Sequence, residues 1–228
     1  MKNKASFGSQ SSKYGEHVLG IIDCQIGNIG SLKNAFSYLG EKAEVITSPH
    51  DLKNCRAAIL PGVGAFDPAM AHINSSGFAQ AIVDFASSGK PLLGICLGMQ
   101  ILGLRSDEGI GRGLGLIKRE IRSLSQIGCK GKVPHVGFNS VNKIDGDSPF
   151  LSMALNRDFY FVHSFAIEAH TTSPEQLDLA VALSEYEGVE FVSALHCKNI
   201  FGTQFHPEKS GELGLALLSE FLKCSRNA

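Results

Sequence analysis

The sequence lacks tryptophan, a long apolar run and an excess of either charge. No run approaches ~18 consecutive apolar residues, so a membrane-spanning helix is not expected. The 21 basic and 22 acidic residues give a formal net charge of −1. That balance provides no electrostatic reason to bind nucleic acid or an anionic membrane surface. Residues 1–17 are polar and have no apolar segment of the kind found in signal peptides, so we expect an extension outside the fold.

Closely spaced cysteines are also missing. Without a C-x-x-C pair, the sequence predicts neither a disulfide framework nor a zinc site. We therefore expect no metal and no cofactor. A reducing cytoplasm is the expected location, because it also keeps a thiol available for chemistry. The six cysteines are scattered along the chain: Cys24, Cys55, Cys96, Cys129, Cys197 and Cys224.

The first half of the chain alternates short apolar runs with amphipathic segments. Three of the runs predict buried strands: residues 18–23, 43–47 and 57–60. Apolar residues at helical spacing follow the first run, with Ser31 as a possible N-cap, and the same spacing returns at residues 78–87. Such alternation is typical of a parallel sheet with helices on both faces.

The second half has five strand-like runs with few helices between them: residues 132–141, 159–167, 180–184, 191–195 and 200–205. A closing helix is predicted at residues 213–224. We therefore expect one α/β domain over residues 18–228. Its open, mostly parallel, flavodoxin-like sheet should be flanked by helices and extended by antiparallel strands.

Residues 91–100, PLLGICLGMQ, join an apolar run to a G-x-C-x-G pattern. The pattern places Cys96 between Gly94 and Gly98 at a predicted strand-to-helix turn. The same turn with serine is the nucleophile elbow of hydrolases, and a helix N-terminus favours a thiolate over a thiol. Taken alone, these residues leave two interpretations open: Cys96 is a nucleophile, or it is a buried structural cysteine.

Two other glycine-rich segments invite comparison with phosphate-binding loops. The turn at residues 27–30 has Gln25 where a dinucleotide fingerprint needs glycine, so a tight strand-to-helix turn explains it better. Residues 109–115 have no strand before them and no helix after them. They predict a flexible loop, with a strand near residues 116–123.

A second loop follows the apolar run at residues 57–60. In it, Gly62 and Gly64 flank Val63. Ligands of open parallel sheets bind beyond the carboxyl ends of the strands, so this loop and Cys96 can share one site. Glycine on both sides allows the backbone to aim an N–H group at a developing oxyanion. An ordinary Pro-Gly turn is the alternative.

His206 ends the last strand-like run, and Glu208 follows two residues later. A histidine here can accept the proton of Cys96 or pair with its thiolate. The carboxylate can then hold the other ring nitrogen and fix the tautomer. Because His206 and Cys96 are far apart in sequence, periodicity alone does not bring them together.

PGVG, GICLGMQ and FHPEKS, in that order, resemble the class I, triad-type glutamine amidotransferases. The likeness is closer still to the glutaminase subunits of imidazole glycerol phosphate synthases. It covers most of the chain beyond residue 17, and several ordered motifs are far more specific than one glycine motif. The segments that carry it are residues 27–28, 60–70, 91–100, 132–139, 159–165 and 201–218.

The resemblance implies that Cys96 attacks the side-chain amide carbon of L-glutamine and forms a γ-glutamyl thioester, which water hydrolyses to glutamate. His206 would protonate the leaving ammonia, and Glu208 would orient His206. The backbone N–H of Leu97 and the loop of Gly62, Val63 and Gly64 would hold the oxyanion. The positions that match the surroundings of the glutamine substrate are Gln100, His163 and Ser164.

In this family, ammonia passes to a partner synthase with a (β/α)₈ barrel, which forms imidazole glycerol phosphate and an aminoimidazole carboxamide ribotide in histidine biosynthesis. A heterodimer is therefore expected. Matching positions for the docking face are Asn28, Phe138, Tyr160 and Lys209. The chain departs from the family pattern at residues 24–25, where Tyr-Gly is usual, at Phe138, where Trp is usual, and at Phe165, where Tyr is usual.

Three other functions are compatible with parts of this pattern. A paralogous subunit would supply ammonia to a sugar amidotransferase that makes amidino sugars for surface polysaccharides. A non-catalytic binding relative is disfavoured by the intact set of Cys96, His206 and Glu208. A free-standing cysteine hydrolase, such as a γ-glutamyl peptidase, is disfavoured by the motifs at residues 132–139 and 206–210.

Overall fold

The computed structural model describes residues 18–25, 27–169 and 178–226, so the predicted extension at residues 1–17 lies outside the described part of the chain. The strands are β1 (Val18–Ile22), β2 (Ala43–Ile46), β3 (Cys55–Gly62), β4 (Leu92–Cys96), β5 (Ile121–Ser123), β6 (His135–Ser140), β7 (Lys143–Asp145), β8 (Asp158–His163), β9 (Phe165–Glu168), β10 (Ala180–Tyr186), β11 (Val189–Cys197) and β12 (Ile200–Thr203).

Ten of these strands form one mixed sheet. Its main order is β2-β1-β3-β4-β12-β11-β10-β7, and β9 and β5 are attached to β11. The strands from β2 to β12 run parallel, and those beyond β12 pair antiparallel. This arrangement confirms the expected parallel sheet with an antiparallel extension. Strands β4 and β12 are neighbours, so the segments that carry Cys96 and His206 leave the sheet side by side.

A hydrophobic layer covers each face of the sheet, because successive strand residues point to opposite faces. On β3, for example, Ala57 and Ile59 pack on one side, and Ala58 and Leu60 on the other. No described helix is long and apolar enough to cross a membrane. The helices are α1 (Ile29–Tyr38), α2 (Pro49–Leu52), α3 (Phe66–Ser75), α4 (Phe78–Ser87), α5 (Leu97–Ile101), α6 (Pro149–Ser152) and α7 (Gly211–Arg226), with a 3₁₀ turn at Pro207–Lys209.

The expected cap of the first helix was wrong. Helix α1 begins at Ile29, and Asn28 is its N-cap; the side-chain oxygen of Asn28 accepts a hydrogen bond from the backbone N–H of Ser31 at 3.3 Å. Both residue types cap helices well. The chain turns into the helix three residues earlier than the apolar spacing indicated, and Ser31 lies in its first turn.

The run at residues 159–167 is two strands, not one. It breaks at Ser164, so that β8 pairs with β6 in a separate two-stranded sheet while β9 joins the large sheet. The run at residues 132–141 therefore does not extend the main sheet. The strand expected near residues 116–123 is confined to β5, and it pairs with β9. Local alternation does not reveal the change of partner.

Candidate active site

The nucleophile elbow lies between β4 and α5. Cys96 ends the strand and precedes the helix with φ 54° and ψ −114°, a left-handed conformation that few non-glycine residues adopt. The flanking glycines are needed for space. A Cβ on Gly98 would collide with the carbonyl oxygen of Leu60, and one on Gly94 would lie 2.8 Å from the backbone of Met99. The packed sheet therefore holds the thiol in a strained, tight turn.

The predicted oxyanion loop begins at Val63, two residues later than the apolar run at residues 57–60 indicated. Gly62 still belongs to β3 and lies in register with Cys96 on β4. A Cβ on Gly62 would lie 2.6 Å from the backbone nitrogen of Gly98. Beyond it, Val63 is 42% exposed and Gly64 adopts φ +102°. Leu97 is the first residue of α5, and the N–H of a first helical residue has no acceptor within its helix.

His206 and Glu208 form a buried pair at the start of the 3₁₀ turn. The ring Nδ1 lies 2.8 Å from Glu208 Oε1, and each side chain is 2% exposed. Neither His206 Nε2 nor Glu208 Oε2 has a hydrogen-bond partner among the described residues. Burial disfavours the charged ring, but the neighbouring Cys96 and Glu208 outweigh it and raise the pKa of His206 to about 9. The arrangement therefore favours an imidazolium beside Cys96.

This pair predicts a pH dependence of stability. The pKa of about 9 exceeds the ordinary 6.5, so the folded state binds the proton more tightly than the unfolded state. The contribution of the His206 proton to the free energy of unfolding is complete below pH 6.5 and is lost as the pH rises to about 9. It amounts to up to about 3 kcal/mol. We expect Glu208→Gln to flatten this decline in the free energy of unfolding, measured by urea titration across that pH range. Glu212→Gln, which removes an exposed carboxylate, should preserve the decline. Equal slopes of unfolding free energy against pH in the wild type and both variants would contradict the assignment of the decline to His206 and Glu208.

A pocket of about 240 Å³ opens over the elbow. It is smaller than the ~300–1,000 Å³ typical of drug-sized ligands, so it suits a small substrate. Its lining includes Cys96, His206, Leu97, Gln100, His163, Ser164, Val63 and Gly64 from the sequence-based site, together with Glu108, Pro134, Val162 and Phe165. Gly62 and Glu208 lie behind this lining, where they support Cys96 and His206.

Glu108 forms part of one wall of the site, and Asp67 helps to hold the segment that carries it. Glu108 Oε2 accepts a hydrogen bond from the backbone N–H of Phe66 at 2.8 Å. The carboxylate of Asp67, in turn, accepts hydrogen bonds from the backbone N–H groups of Ile110 and Gly111, each at 3.0 Å. The glycine-rich segment predicted to be a flexible loop is therefore tied to the start of α3. We call these reciprocal bonds the Asp67–Glu108 clasp.

His163 lines the pocket, but both of its ring nitrogens are already hydrogen-bonded within the protein. Its Nδ1 lies 3.0 Å from the carbonyl oxygen of Phe165, and its Nε2 lies 3.0 Å from His135 Nδ1. A carbonyl only accepts, so Nδ1 of His163 carries a proton and Nε2 accepts from His135. Burial lowers the pKa of His163 to about 3 and that of His135 to about 4, so both rings are neutral. In this state His163 supports the wall of the pocket.

A family model described as glutamine amidotransferase class-I matches residues 20–224. The chain belongs to the class I glutamine amidotransferases. It is 41% identical to the imidazole glycerol phosphate synthase subunit HisH of Caldanaerobacter subterraneus subsp. tengcongensis, over 91% of this chain and all of that one. It is 38% identical to the chloroplastic imidazole glycerol phosphate synthase hisHF of Arabidopsis thaliana, over 97% of this chain and 36% of that one.

Comparison of the fold with solved structures also leads to glutamine amidotransferases. A solved structure of a glutamine amidotransferase superimposes with a TM-score of 0.66, over 92% of this chain and 99% of the other, at 17% identity. At that identity the likeness concerns the fold alone. The expected α/β amidotransferase fold is confirmed.

The amidotransferase carries an apolar strip beside its pocket, formed by Val136 and Phe138 on β6 and Tyr160 and Val162 on β8. Val136 and Phe138 are 55% and 62% exposed, and Val162 lines the pocket. Phe138 lies opposite Tyr160 in register, with ring centroids 5.7 Å apart. Lys209 Nζ lies 5.7 Å from the centroid of the Tyr160 ring. Helix α1, capped by Asn28, packs beside the 3₁₀ turn that contains Lys209.

Sequence reasoning missed three polar residues near the amidotransferase site: Glu108, His135 and Gln204. Glu108 precedes the glycine-rich segment at residues 109–115, which drew attention only as a loop. His135 and Gln204 lie inside motifs that carried the family resemblance, KVPHVGFN and FGTQFHPEKS. The two motifs therefore pointed to these residues, but the roles of the residues depend on contacts between segments that are distant in sequence.

Proposed function

We propose that this amidotransferase is the glutaminase subunit of an imidazole glycerol phosphate synthase. The observation that carries the proposal is the 41% identity to a subunit of that name over its entire length. The site supports it, because a strained cysteine, a buried His–Glu pair and a small pocket suit hydrolysis of a small amide. None of the six cysteines, all of which lie in the described residues, forms a disulfide, and the thiol chemistry needs a reducing compartment, so we also propose a cytoplasmic location.

In the proposed reaction, the Cys96 sulfur attacks the side-chain amide carbon of glutamine, and the carbonyl oxygen becomes an oxyanion. The N–H of Leu97 and the loop of Val63 and Gly64 stabilise that charge. His206 gives its proton to the amide nitrogen, so ammonia leaves and a γ-glutamyl thioester remains. A water molecule, deprotonated by His206, then displaces Cys96 and releases glutamate.

The pocket also offers groups for the rest of the substrate. Glu108 has one oxygen occupied by the N–H of Phe66, and its carboxylate lines the pocket, where it suits the α-ammonium of an amino acid. Ser164 and Gln100 line the same pocket. Ser164 can donate to the α-carboxylate, and the side-chain oxygen of Gln100 can accept from the amide, because both hydrogens of Gln100 Nε2 are bonded elsewhere. No cofactor takes part in these steps.

We propose that the apolar strip, together with Asn28 and Lys209, is the docking face for a barrel-type synthase that receives the ammonia. A strip with two apolar side chains more than half exposed is typical of an interaction surface. Val162 joins the strip to the pocket, so a partner bound there would cover the exit of the ammonia. The Arabidopsis relative supports an association, because this chain matches 36% of that longer polypeptide.

The proposed partner should stimulate the glutaminase reaction. Val63 is exposed and is flanked by glycines, so we expect the loop to aim its N–H correctly only when the synthase and its substrate are bound. One oxyanion donor contributes about 10²–10³-fold in rate. Glutamine hydrolysis is measured with the chain alone and with the synthase plus its ribonucleotide substrate. An equal rate in both would contradict the proposal, and stimulation by a sugar amidotransferase instead would assign the paralogous pathway.

A further inference from the structure

Gln204 contacts the nucleophile from inside the protein. It follows β12 and is fully buried, and its backbone N–H donates to the carbonyl of Ser193 at 2.8 Å. Its side-chain nitrogen Nε2 lies 3.6 Å from Cys96 Sγ, within hydrogen-bond distance for sulfur. Neither the thioester chemistry nor the pocket lining accounts for a buried amide at this position.

The orientation of this amide is determined by one carbonyl group. The backbone oxygen of Phe165 can only accept, so Gln100 must direct its Nε2 towards it, at 2.9 Å. The same Nε2 lies 3.0 Å from Gln204 Oε1 and donates its second hydrogen there. Gln204 must then direct its own Nε2 towards the sulfur. The chain of bonds runs from Phe165 through Gln100 and Gln204 to Cys96.

The ionisation state of Cys96 decides which of its bonds persist. As a thiol, Cys96 can donate to the carbonyl oxygen of Val162 at 3.9 Å. A thiolate has no proton to donate, so that carbonyl then faces a negative charge. The amide of Gln204 donates to sulfur in both states and more strongly to the anion. Gln204 therefore stabilises the reactive form relative to the resting form.

We propose that Gln204 is a positioning residue that holds the Cys96 sulfur in line for attack and favours its thiolate, through an amide polarised by Gln100. The inference deepens the proposed glutaminase function and rests on it. Because Gln100 also lines the pocket, a substrate that binds Gln100 acts on the same chain of bonds. Substrate binding at Gln100 and the reactivity of the Cys96 sulfur are thus coupled.

Two substitutions of nearly equal size test the proposal. Gln204→Met removes the donor, and Gln204→Glu replaces it with a group that repels a thiolate. Thr203→Val is the matched control, because Thr203 is equally buried and its hydroxyl has no hydrogen-bond partner among the described residues. Each variant is assayed in the complex with the synthase for glutamine hydrolysis. The rate of Cys96 alkylation by iodoacetamide at fixed pH, without glutamine, is followed by mass spectrometry of the Cys96 peptide.

We expect Gln204→Met to lower kcat about 10–100-fold and the alkylation rate about tenfold, with KM changed less than about threefold. Gln204→Glu should lower both rates further, and Thr203→Val should change neither. An alkylation rate unchanged in both Gln204 variants, or a loss of kcat that follows only a lower melting temperature, would overturn the inference. A wild-type complex that hydrolyses no glutamine would overturn the proposed function, and the alkylation rates would still decide whether Gln204 supports Cys96.

Discussion

Replacing Cys96 with alanine is expected to abolish glutamine-dependent synthesis by the complex and to leave ammonia-dependent synthesis nearly unchanged. In the proposed mechanism the Cys96 sulfur forms the covalent bond to the substrate, and no other cysteine lines the pocket among the described residues. Loss of a nucleophile commonly costs at least about 10⁴-fold in kcat. Ammonia supplied from solution bypasses that step. Both activities are measured by following imidazole product formation, with glutamine or with an ammonium salt as the nitrogen source.

The control for Cys96→Ala is another buried cysteine. Cys197 lies on β11, away from the elbow, and Cys197→Ala should preserve both activities apart from a modest loss of stability. If Cys96→Ala abolished ammonia-dependent synthesis as well, while the two subunits still co-purified, the division of labour between them would be wrong. Alanine keeps the Cβ, and with it the backbone strain at φ 54°, and it removes only the sulfur atom, so the fold should survive.

His206→Asn should lower glutamine hydrolysis about 10²–10⁴-fold, because the amide nitrogen must be protonated before it leaves. Asparagine keeps a polar group at this buried position but cannot transfer a proton. A γ-glutamyl methyl thioester needs no such proton, since its leaving group departs as a thiolate. Formation of the acyl-enzyme should therefore be much less impaired with the thioester than with glutamine, whereas its hydrolysis also uses His206 and is impaired equally with both. The rates at which methanethiol and ammonia are released in the first turnover measure the difference.

Cys96→Ala provides the comparison for His206→Asn. Without a nucleophile, hydrolysis of the thioester should be lost as completely as hydrolysis of glutamine. If first-turnover release of both leaving groups fell to the same degree in His206→Asn, His206 would not act as the proton donor to the leaving group, and its role in acylation would be confined to forming the thiolate. That outcome would contradict the mechanism proposed above.

The elbow could be predicted from sequence because its causes are local. Two glycines at fixed spacing permit the turn, and the apolar run before them requires a buried strand. The parallel sheet was predictable for the same reason, since each strand and helix shows its own periodicity. The approach of His206 to Cys96 depends instead on β12 lying beside β4, and that order of strands is set by packing across the whole sheet.

The polar support of the site was beyond the reach of local patterns. Gln100 and His163 meet at the Phe165 carbonyl because the break at Ser164 brings that carbonyl between two sheets, and alternating residues on either side of the break look continuous. Asn28 and Ser31 cap helices comparably well, so composition did not distinguish them. In each case, competing structures have similar local energies and tertiary contacts decide between them.

The Asp67–Glu108 clasp has a kinetic consequence. Pairing of Gly62 with Cys96 fixes one end of the oxyanion loop, and the bond from the Phe66 N–H to Glu108 fixes the other. Three residues remain between these anchors: Val63, Gly64 and Ala65. Movement is then limited to rotation of one or two peptide units, which displaces little water, in contrast to the closure of a lid. We therefore expect the proposed rearrangement of this loop to be limited by backbone torsional barriers and to depend little on solvent viscosity.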